Sequence, residues 1–249
     1  NLNLKELNFK KLYITNFCQS RPDQSGGRIQ RFNDNNIILS IGEFGFDTEK
    51  LNLVDIDAGK IIIINTSNGE DYSVVGMGLR NPQGLNYLSD QFQNEIFITS
   101  HGPYGGDEIN VINLNKNIKE NNFGWPNVSY GEHYNCQTMT ERCKNLYLQK
   151  PLKKGHSKYG FKEPALYFVP SIAISQIRHF YDNKFLLASM GNNVDEGDMS
   201  LHLLEYNKNR FLKIDKLILN ERLRDIIVWN KSVLAVGETL GSIYILSIL

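Results

Sequence analysis

The sequence predicts an all-β protein, and more specifically a β-propeller of four-stranded antiparallel blades. Short runs rich in β-branched residues are separated by Gly, Asn and Asp, with no clear pattern of long amphipathic helices. A second pattern is a repeat, in which a polar start, an apolar run and a small residue recur along the chain. Strand, loop and strand repeated in this way are typical of propeller blades, whereas a β-sandwich would show less self-similarity.

The repeated unit is a pair of strands joined by a loop. Its first strands are predicted at 36–42, 94–100, 183–189 and 231–237. Its second strands are predicted at 59–65, 107–113, 199–206 and 241–249, and a weaker fifth copy covers 12–17 and 27–32. We therefore expect four to five recognisable blades, with the first strand of each pair beside the central channel. The loops within the pairs then share one end, where function is expected.

The domain organisation predicted is one propeller domain over residues 1–249. The stretch of about 115–164 does not fit the repeat, and we interpret it as a long ordered insertion on the functional face. The sequence starts with Asn1 rather than Met, so we expect either a removed leader or a piece of a longer chain.

Composition excludes several classes of protein. Lys and Arg number 27 and Asp and Glu also 27, which gives a formal net charge of zero. Nucleic-acid binding normally leaves a basic excess or a basic run, so no nucleic-acid partner is expected. The apolar runs are far shorter than the roughly 20 residues that a membrane span needs. We therefore expect a small-molecule ligand rather than a nucleic acid or a bilayer.

Three cysteines leave two interpretations open. Cys136 and Cys143 lie seven residues apart in a polar stretch that can close as a disulfide loop, while Cys18 is distant. Three unrelated thiols are the alternative, and the spacing fits no zinc site. A disulfide would indicate an oxidising compartment such as a periplasm.

Two arginine clusters are candidate anion clamps. Arg80 and Asn81 precede a proline, which favours an extended or turn geometry, and an Arg fork beside an amide suits a carboxylate-rich ligand. Arg222 and Arg224 alternate along a predicted strand and so share one side of it. The alternative for both clusters is ion pairing within the protein, to a nearby carboxylate for Arg80 and to Glu221 or Asp225 for the second pair.

A third cluster, 101–110, suits a calcium ion. Gly102 and Pro103 expose backbone carbonyls, and Asp107 and Glu108 supply carboxylates, which are the hard oxygen donors that Ca²⁺ takes. A glycine-rich loop with two solvated acids is the alternative. The segment 122–126 adds an aromatic anchor and a further tight turn.

Taken together and in this order, the clusters resemble the glucose/sorbosone dehydrogenase family, the soluble quinoprotein aldose dehydrogenases built as six-bladed propellers. The matching segments are 26–29, 80–84, 101–103, 107–110, 122–126, 170–173 and 222–225. The resemblance implies that a sugar hydroxyl is oxidised by pyrroloquinoline quinone (PQQ) with the help of Ca²⁺. PQQ is a tricarboxylate, and its expected contacts are Arg80, Asn81, Ser171, Arg222 and Arg224.

The resemblance also implies two calcium sites. Backbone carbonyls at the positions of Gly102 and Pro103 bind the catalytic Ca²⁺ in the family. The carboxylate of Glu108, with the carbonyl of Phe123, matches a second, structural site. A periplasmic or secreted location is expected from the same resemblance.

This sequence departs from the family pattern at the catalytic base. The family places a histidine where this chain has Gln24, and a glutamine cannot act as a general base near neutrality. Asp23 and His101 are the candidates to replace it. The family's first blade and most of its second also lie upstream of the aligned region, and its lysine near 189–191 has no counterpart. An incomplete ring is therefore one expectation.

Two classes of function stay open on the sequence. The first is a PQQ- and calcium-dependent sugar dehydrogenase, divergent or impaired through Gln24. The second is a non-catalytic, calcium-stabilised propeller that binds a sugar or a protein partner.

Overall fold

The structure is a computed structural model that describes residues 10–18, 22–45, 50–191, 198–229 and 232–247. It confirms the all-β prediction, since four antiparallel sheets account for nearly all regular structure. The first sheet contains β1 (Gly26–Arg31), β2 (Asn36–Ile41), β3 (Lys60–Asn65) and β4 (Tyr72–Gly76). The second contains β5 (Asn81–Tyr87), β6 (Glu95–His101), β7 (Asp107–Asn113) and β8 (Leu166–Phe168).

The remaining two sheets follow in the same manner. The third contains β9 (Ile174–Tyr181), β10 (Lys184–Ser189), β11 (Ser200–Asn207) and β12 (Arg210–Ile218). The fourth contains β13 (Leu223–Trp229), β14 (Ser232–Gly237) and β15 (Ile243–Ser247). In every sheet each strand pairs with its neighbour in sequence, so each sheet is a simple meander. The four sheets are the blades that the repeat predicts.

The repeated pairs are the second and third strands of the blades, which corrects the predicted position of the first strand. The strands that precede them, β1, β5, β9 and β13, contact one another in turn and form the central side. The repeat included only β1 among these inner strands, in its weaker fifth copy, because the others interrupt their apolar residues with polar ones, as in the NPQGLNY of β5. Side chains that face a polar centre leave no apolar alternation to detect.

Each pair of neighbouring sheets encloses one apolar layer. Ile38 and Ile61 of the first sheet pack with Ile98 of the second, and Phe97 packs with Phe185 of the third. Leu186 of the third sheet belongs to the same cluster as the residues of the fourth, such as Ile226 and Val233. Sheets stacked face to face in this way form an arc of blades.

The predicted fifth copy is half wrong. Its second half is β1, but residues 12–17 form no strand. Instead, Leu12, Tyr13 and Phe17 pack on the outer face of the first sheet, beside Ile41 and Ile62. The Tyr13 hydroxyl donates to the carboxylate of Asp57 across 2.5 Å and so anchors this segment. The apolar residues of 12–17 predicted a strand, but in the structure these side chains pack over the first sheet.

The stretch between β7 and β8 lies outside the meander and contains both helices of the described chain. These are α1 (Glu141–Gln149) and a 3₁₀ helix (His156–Tyr159). Thr140 caps α1 by accepting from the backbone N–H of Cys143. Cys143 forms a disulfide with Cys136, as one of the two interpretations of the cysteines predicted. Cys18 is a free, exposed thiol. In the described parts of the chain, neither helix has the length and apolar character needed to cross a membrane.

Candidate functional site

Most of the predicted site residues line one cleft of about 490 Å³. The cleft lies where β1, β5 and β9 begin and where β6 ends. The predicted residues that line it are Asp23, Gln24, Arg80, Asn81, His101, Gly102, Pro103 and Ser171. Arg222, Arg224, Glu108 and Phe123 are not among its lining residues. The loops within the repeated pairs supply Gly102 and Pro103, at the end where function was expected.

Gln24 occupies a left-handed backbone conformation, with φ of 53°, in the turn before β1. Its carbonyl packs so closely on Gly42 that a Cβ there would lie 1.7 Å from the Gln24 oxygen. The same carbonyl accepts a hydrogen bond from the Phe44 N–H across 3.2 Å. The turn is therefore held from two sides, and only glycine fits at position 42.

His101 is held as a neutral imidazole. Its Nε2 lies 2.6 Å from the carbonyl oxygen of Ile174, and since a carbonyl only accepts, Nε2 carries the proton. Burial lowers the pKa of His101, and the charges of Arg80 and Arg224 lower it further. Nearby Asp107 and the Ile174 carbonyl act in the opposite direction without reversing the shift. The lone pair of the neutral ring is then on Nδ1, which can accept a proton.

Asp107 organises the floor of the cleft. This buried carboxylate accepts from Ser171 Oγ across 2.9 Å, and from the backbone N–H groups of Gly102 and Ile174 across 3.2 Å each. Both oxygens are therefore engaged by donors from two loops. The sequence offered Asp107 as a calcium donor, but in the structure it fixes the loops that carry Gly102 and Ser171.

Arg80 is already paired inside the protein. Its Nη1 donates to the Gly102 carbonyl across 2.8 Å, and its Nε lies 3.5 Å from Glu43 Oε1. The rings of Trp125 and Tyr134 lie 5.5 and 5.7 Å from its guanidinium carbon, within cation–π range. The internal-pairing alternative thus applies to Arg80, which nevertheless still lines the cleft.

Glu43 is a charged partner of the cleft residue Arg80 that the sequence analysis missed. It is buried, and Oε2 accepts from the indole Nε1–H of Trp125 across 2.6 Å. Burial raises the pKa of Glu43, while Trp125 and the Arg80 charge oppose that rise. The sequence signal that could have identified Glu43 is its position directly after a predicted strand of the repeat, in a loop at the end of the propeller where function was expected. Tyr104 and Tyr134, about half exposed on the cleft wall, were also missed.

Arg222 and Arg224 both lie near a single carboxylate, that of Glu238. Arg224 Nη2 lies 2.6 Å from Glu238 Oε2, and Arg222 Nη2 lies 3.9 Å from the same oxygen. The predicted internal partners were Glu221 or Asp225, and the structure corrects this. Glu221 accepts from backbone N–H groups, and Asp225 pairs with another arginine. The loop between β14 and β15 brings Glu238 over the pair, which strand spacing alone does not reveal.

A side-chain relay connects this pair to the cleft. Gln83 Nε2 donates to Asn81 Oδ1 across 2.7 Å, and Gln83 Oε1 accepts from Arg224 Nη1 across 3.2 Å. Arg224 is therefore one side chain removed from the cleft wall. Its charge also acts on His101, whose pKa it helps to lower.

Glu108 and Phe123 line a second, much smaller cavity of about 10 Å³, together with Gly102. Such a volume holds roughly one water-sized atom. Glu108 Oε1 lies 3.2 Å from Nε2 of buried His156, and Oε2 accepts from the Asn110 amide. Within the described residues, His, Cys, Asp and Glu side chains form no cluster of three that could hold a metal. A cation here would depend on carbonyl oxygens, which Ca²⁺ accepts.

Comparison with known proteins decides the family. The family model "Glucose / Sorbosone dehydrogenase" matches residues 2–243. The chain belongs to the glucose/sorbosone dehydrogenase family. A relative in Escherichia coli, aldose sugar dehydrogenase YliI, is 30% identical over 118 residues, which is 47% of this chain and 27% of that protein.

Two solved structures of this kind share the fold. The soluble aldose sugar dehydrogenase of E. coli, in its apo-form, matches with a TM-score of 0.65 at 19% identity, over 89% of this chain and 64% of that one. The PQQ-bound aldose sugar dehydrogenase of Streptomyces coelicolor matches with a TM-score of 0.59 at 20% identity, over 89% of this chain and 60% of that one. The chain thus spans less than two thirds of each.

Proposed function

We propose that this chain carries the cofactor site of a PQQ- and calcium-dependent sugar dehydrogenase and acts on aldose hydroxyl groups. The observation that carries the proposal is the meeting of Arg80, Asn81, His101 and Gly102 in one cleft. Its volume of about 490 Å³ lies in the range of roughly 300–1,000 Å³ that is usual for ligand pockets. Family membership and the similarity to the E. coli aldose sugar dehydrogenase support it.

The arginines and the asparagine in and beside the cleft fit a ligand with three carboxylates, such as PQQ. Arg80 and Asn81 lie in the cleft wall, and Arg224 is linked to Asn81 through Gln83. Arg222 and Arg224 share the half-exposed carboxylate of Glu238, which a ligand carboxylate can replace without leaving a buried charge unpaired. Arg80 is buried between Glu43 and Gly102, so its expected role is to present a fixed positive charge to the cofactor.

The residues also fit calcium. Gly102 and Pro103 belong to the cleft lining, and Glu108 and Phe123 line the cavity that holds one water-sized atom. Carbonyl and carboxylate oxygens are the donors that Ca²⁺ prefers. We therefore infer a catalytic ion at Gly102 and Pro103 and a structural ion at Glu108 and Phe123.

His101 is the candidate base that remains. Gln24 can donate and accept hydrogen bonds to a sugar hydroxyl, but it cannot hold the proton released on oxidation. His101 is neutral and can take that proton on Nδ1, whereas Asp23 is an exposed carboxylate in the turn before β1. When bound, PQQ supplies the acceptor for the hydride from the sugar carbon.

Two observations favour a second function, a propeller that binds sugar without oxidising it. Gln24 stands at the position of the family's base, and the lowered pKa of His101 makes it a weak proton acceptor. Such a module would keep the cleft, the arginines and the calcium donors.

Calorimetric titration of PQQ into the calcium-loaded protein, followed by dye reduction with a panel of aldoses, tests the proposal. Binding with turnover is the expected result. Binding without turnover would favour the non-catalytic module, and the absence of PQQ binding would overturn the quinoprotein assignment altogether. The same titration after removal of calcium should show much weaker binding.

We further propose a periplasmic or secreted location. The Cys136–Cys143 disulfide supports it, because such bonds persist mainly in oxidising compartments. Thiol labelling of the native protein from fractionated cells tests this: one reactive cysteine, Cys18, is expected, and three would contradict the proposal.

A further inference from the structure

A second groove, of about 890 Å³, lies at the outer rim between the second and third sheets. Its walls are residues 162–167, which include the start of β8, the turn 208–210 between β11 and β12, Tyr130 and Ser157. We call it the side groove. It shares no lining residue with the cleft. Its volume is near the upper end of the roughly 300–1,000 Å³ that is usual for ligand pockets, so it has room for a ligand of more than one ring.

The walls of the side groove are fixed by neighbouring sheets that contact each other along β5 and β9. The Phe211 N–H donates to the Ala165 carbonyl across 3.0 Å, and both residues belong to one apolar core cluster. In the two-residue turn, Lys208 and Asn209 have φ of 47° and 63°, the type I′ pattern whose twist matches that of the flanking strands. The groove is therefore built from elements that are already packed together.

A stack of aromatic rings ends in the side groove. The rings of Tyr130 and Tyr167 lie 3.8 Å apart with 7° between their planes, and Tyr130 also contacts the ring of buried His156 at 5.2 Å. The Tyr130 hydroxyl donates to Glu163 across 2.8 Å, which fixes the stack. Tyr167 is 44% exposed, and among the described residues only the Tyr130 ring stacks on it. The exposed part of the Tyr167 ring can therefore stack on a ring of a ligand.

The side groove is positively charged, although the whole chain has a formal net charge of zero. Of its described lining residues, Lys162, Lys208 and Arg210 are cationic, and Glu163 is the only carboxylate. Glu163 is already engaged, since it accepts from the N–H and the hydroxyl of Ser157 across 2.8 Å each. Within the described chain, no carboxylate pairs with Lys208 or Arg210. Two exposed cations are thus left for an anionic ligand.

We propose that the side groove binds an acidic oligosaccharide, with one sugar ring on Tyr167 and uronate carboxylates on Lys208 and Arg210. The wall at 208–210 faces the ring stack with two cations and an amide but no aromatic ring, which suits the polar edges of a sugar rather than a second flat face. Asn209 Oδ1 accepts from the Tyr206 hydroxyl across 3.0 Å, so the amide N–H groups are left to donate to sugar hydroxyls. The groove would anchor a saccharide outside the cleft, and the inference does not depend on PQQ.

Calorimetric titration with a trimer of galacturonic acid, in the absence of PQQ, tests this inference. We expect binding that weakens at least about fivefold when salt rises from about 50 to about 300 mM, because exposed ion pairs are screened. A neutral trimer of glucose should bind at least about tenfold more weakly, since it leaves both cations without a partner. Adenosine monophosphate, which offers a flat aromatic ring and an anion, should also bind more weakly than the acidic trimer.

Two sets of variants locate the site. Tyr167→Ala removes the stacking ring and should weaken binding about fivefold, whereas Tyr167→Phe keeps the ring and should leave the affinity unchanged. Lys208→Asn combined with Arg210→Gln removes both cations, keeps a residue suited to positive φ at 208, and should weaken binding about fivefold or more. Lys216→Gln is the matched control, because this exposed lysine lies on β12 outside the groove. Circular dichroism checks that each variant keeps its β-structure.

Four results would overturn the inference. The first is the absence of binding by the acidic trimer, and the second is equal affinity for the acidic and neutral trimers. Tighter binding of adenosine monophosphate would assign the groove to an aromatic anion instead. Binding that survives both Tyr167→Ala and the double substitution would place the saccharide elsewhere on the chain.

Discussion

Arg28 on the first sheet forms an ion pair with Asp225 on the fourth sheet, with 2.6 Å between Nη1 and Oδ2. The same guanidinium donates to the carbonyls of Gln83 and Arg224, across 2.6 and 2.8 Å. One side chain thus ties β1, β5 and β13 together at the centre of the arc. Arg178 adds a parallel connection, since it donates to the Leu85 carbonyl across 2.7 Å. The first and fourth sheets are therefore joined directly by polar contacts.

Replacing Arg28 should destabilise the arc. Arg28→Met removes the charge and leaves the Gln83 and Arg224 carbonyls without this donor, so we expect a loss of about 2 kcal/mol in the free energy of unfolding. Urea denaturation measures it. Arg31→Met is the matched control, because Arg31 pairs with Asp34 on the exposed surface, and it should cost less than about 0.5 kcal/mol. Equal losses would contradict the central role of Arg28.

Gln24→His should restore the base that the family uses. The backbone there is left-handed, and His tolerates that conformation better than most residues, so the turn should be preserved. General-base catalysis contributes roughly 100- to 10,000-fold, and we expect turnover in the dye assay to rise by at least about 100-fold. Gln24→Asn, which also suits the backbone but holds no proton, should give no increase. A similar rise in both variants would refute the explanation.

Protonation of His101 should limit turnover on the acidic side of the profile of kcat against pH. Its pKa is lowered, so the ring is already unprotonated at pH 7, and a base is lost only when the pH falls through that lowered pKa. We expect kcat to stay constant through the ordinary imidazole pKa near 6.5 and to fall only at lower pH. His101→Gln can still donate to the Ile174 carbonyl but should abolish turnover while PQQ binding persists. Unchanged turnover would assign the proton to another group.

Glu238 should compete with the ligand for the second arginine pair. Glu238→Gln removes the carboxylate that both Arg222 and Arg224 approach, so PQQ should bind about two- to fivefold more tightly. Glu205→Gln makes the same charge change at the Lys184 pair of the third sheet and should leave the affinity unaltered. Calorimetric titration compares the three proteins. A weaker affinity in Glu238→Gln would show that this side chain supports binding.

Lys60 should make stability depend on pH in the alkaline range. It is fully buried, its ammonium donates to the Leu51 and Ala58 carbonyls, and burial lowers its pKa to about 8. The unfolded chain binds a proton there up to about pH 10.4, so folding stability rises from pH 8 to 10.4. Relative to Lys60→Met, the parent should gain about 3 kcal/mol over that interval. Urea melts at pH 7.5, 9 and 10.5 measure the difference, and a constant difference would contradict it.

The sequence predicted those parts of the fold that depend on the local pattern of apolar residues. Short apolar runs identified the second and third strands of each blade, since a strand between two apolar layers is apolar on both faces. It also predicted part of the cleft lining, because motifs at strand ends are brought to one end by the repeat. The Arg80, His101 and Gly102 segments are examples. Residues 12–17 show the limit, since their apolar side chains cover a sheet instead of forming one.

Which side chains form ion pairs across long sequence separations was decided by the tertiary structure alone. Glu43 and Arg80 are 37 positions apart, and Glu238 approaches Arg224 from a different loop. Charge pairing depends on distance in space, which periodicity does not encode. By itself, the sequence determined that this chain forms stacked β-sheets with a polar cleft. Only the folded arrangement decided that the candidate anion-binding arginines pair with carboxylates of the same chain.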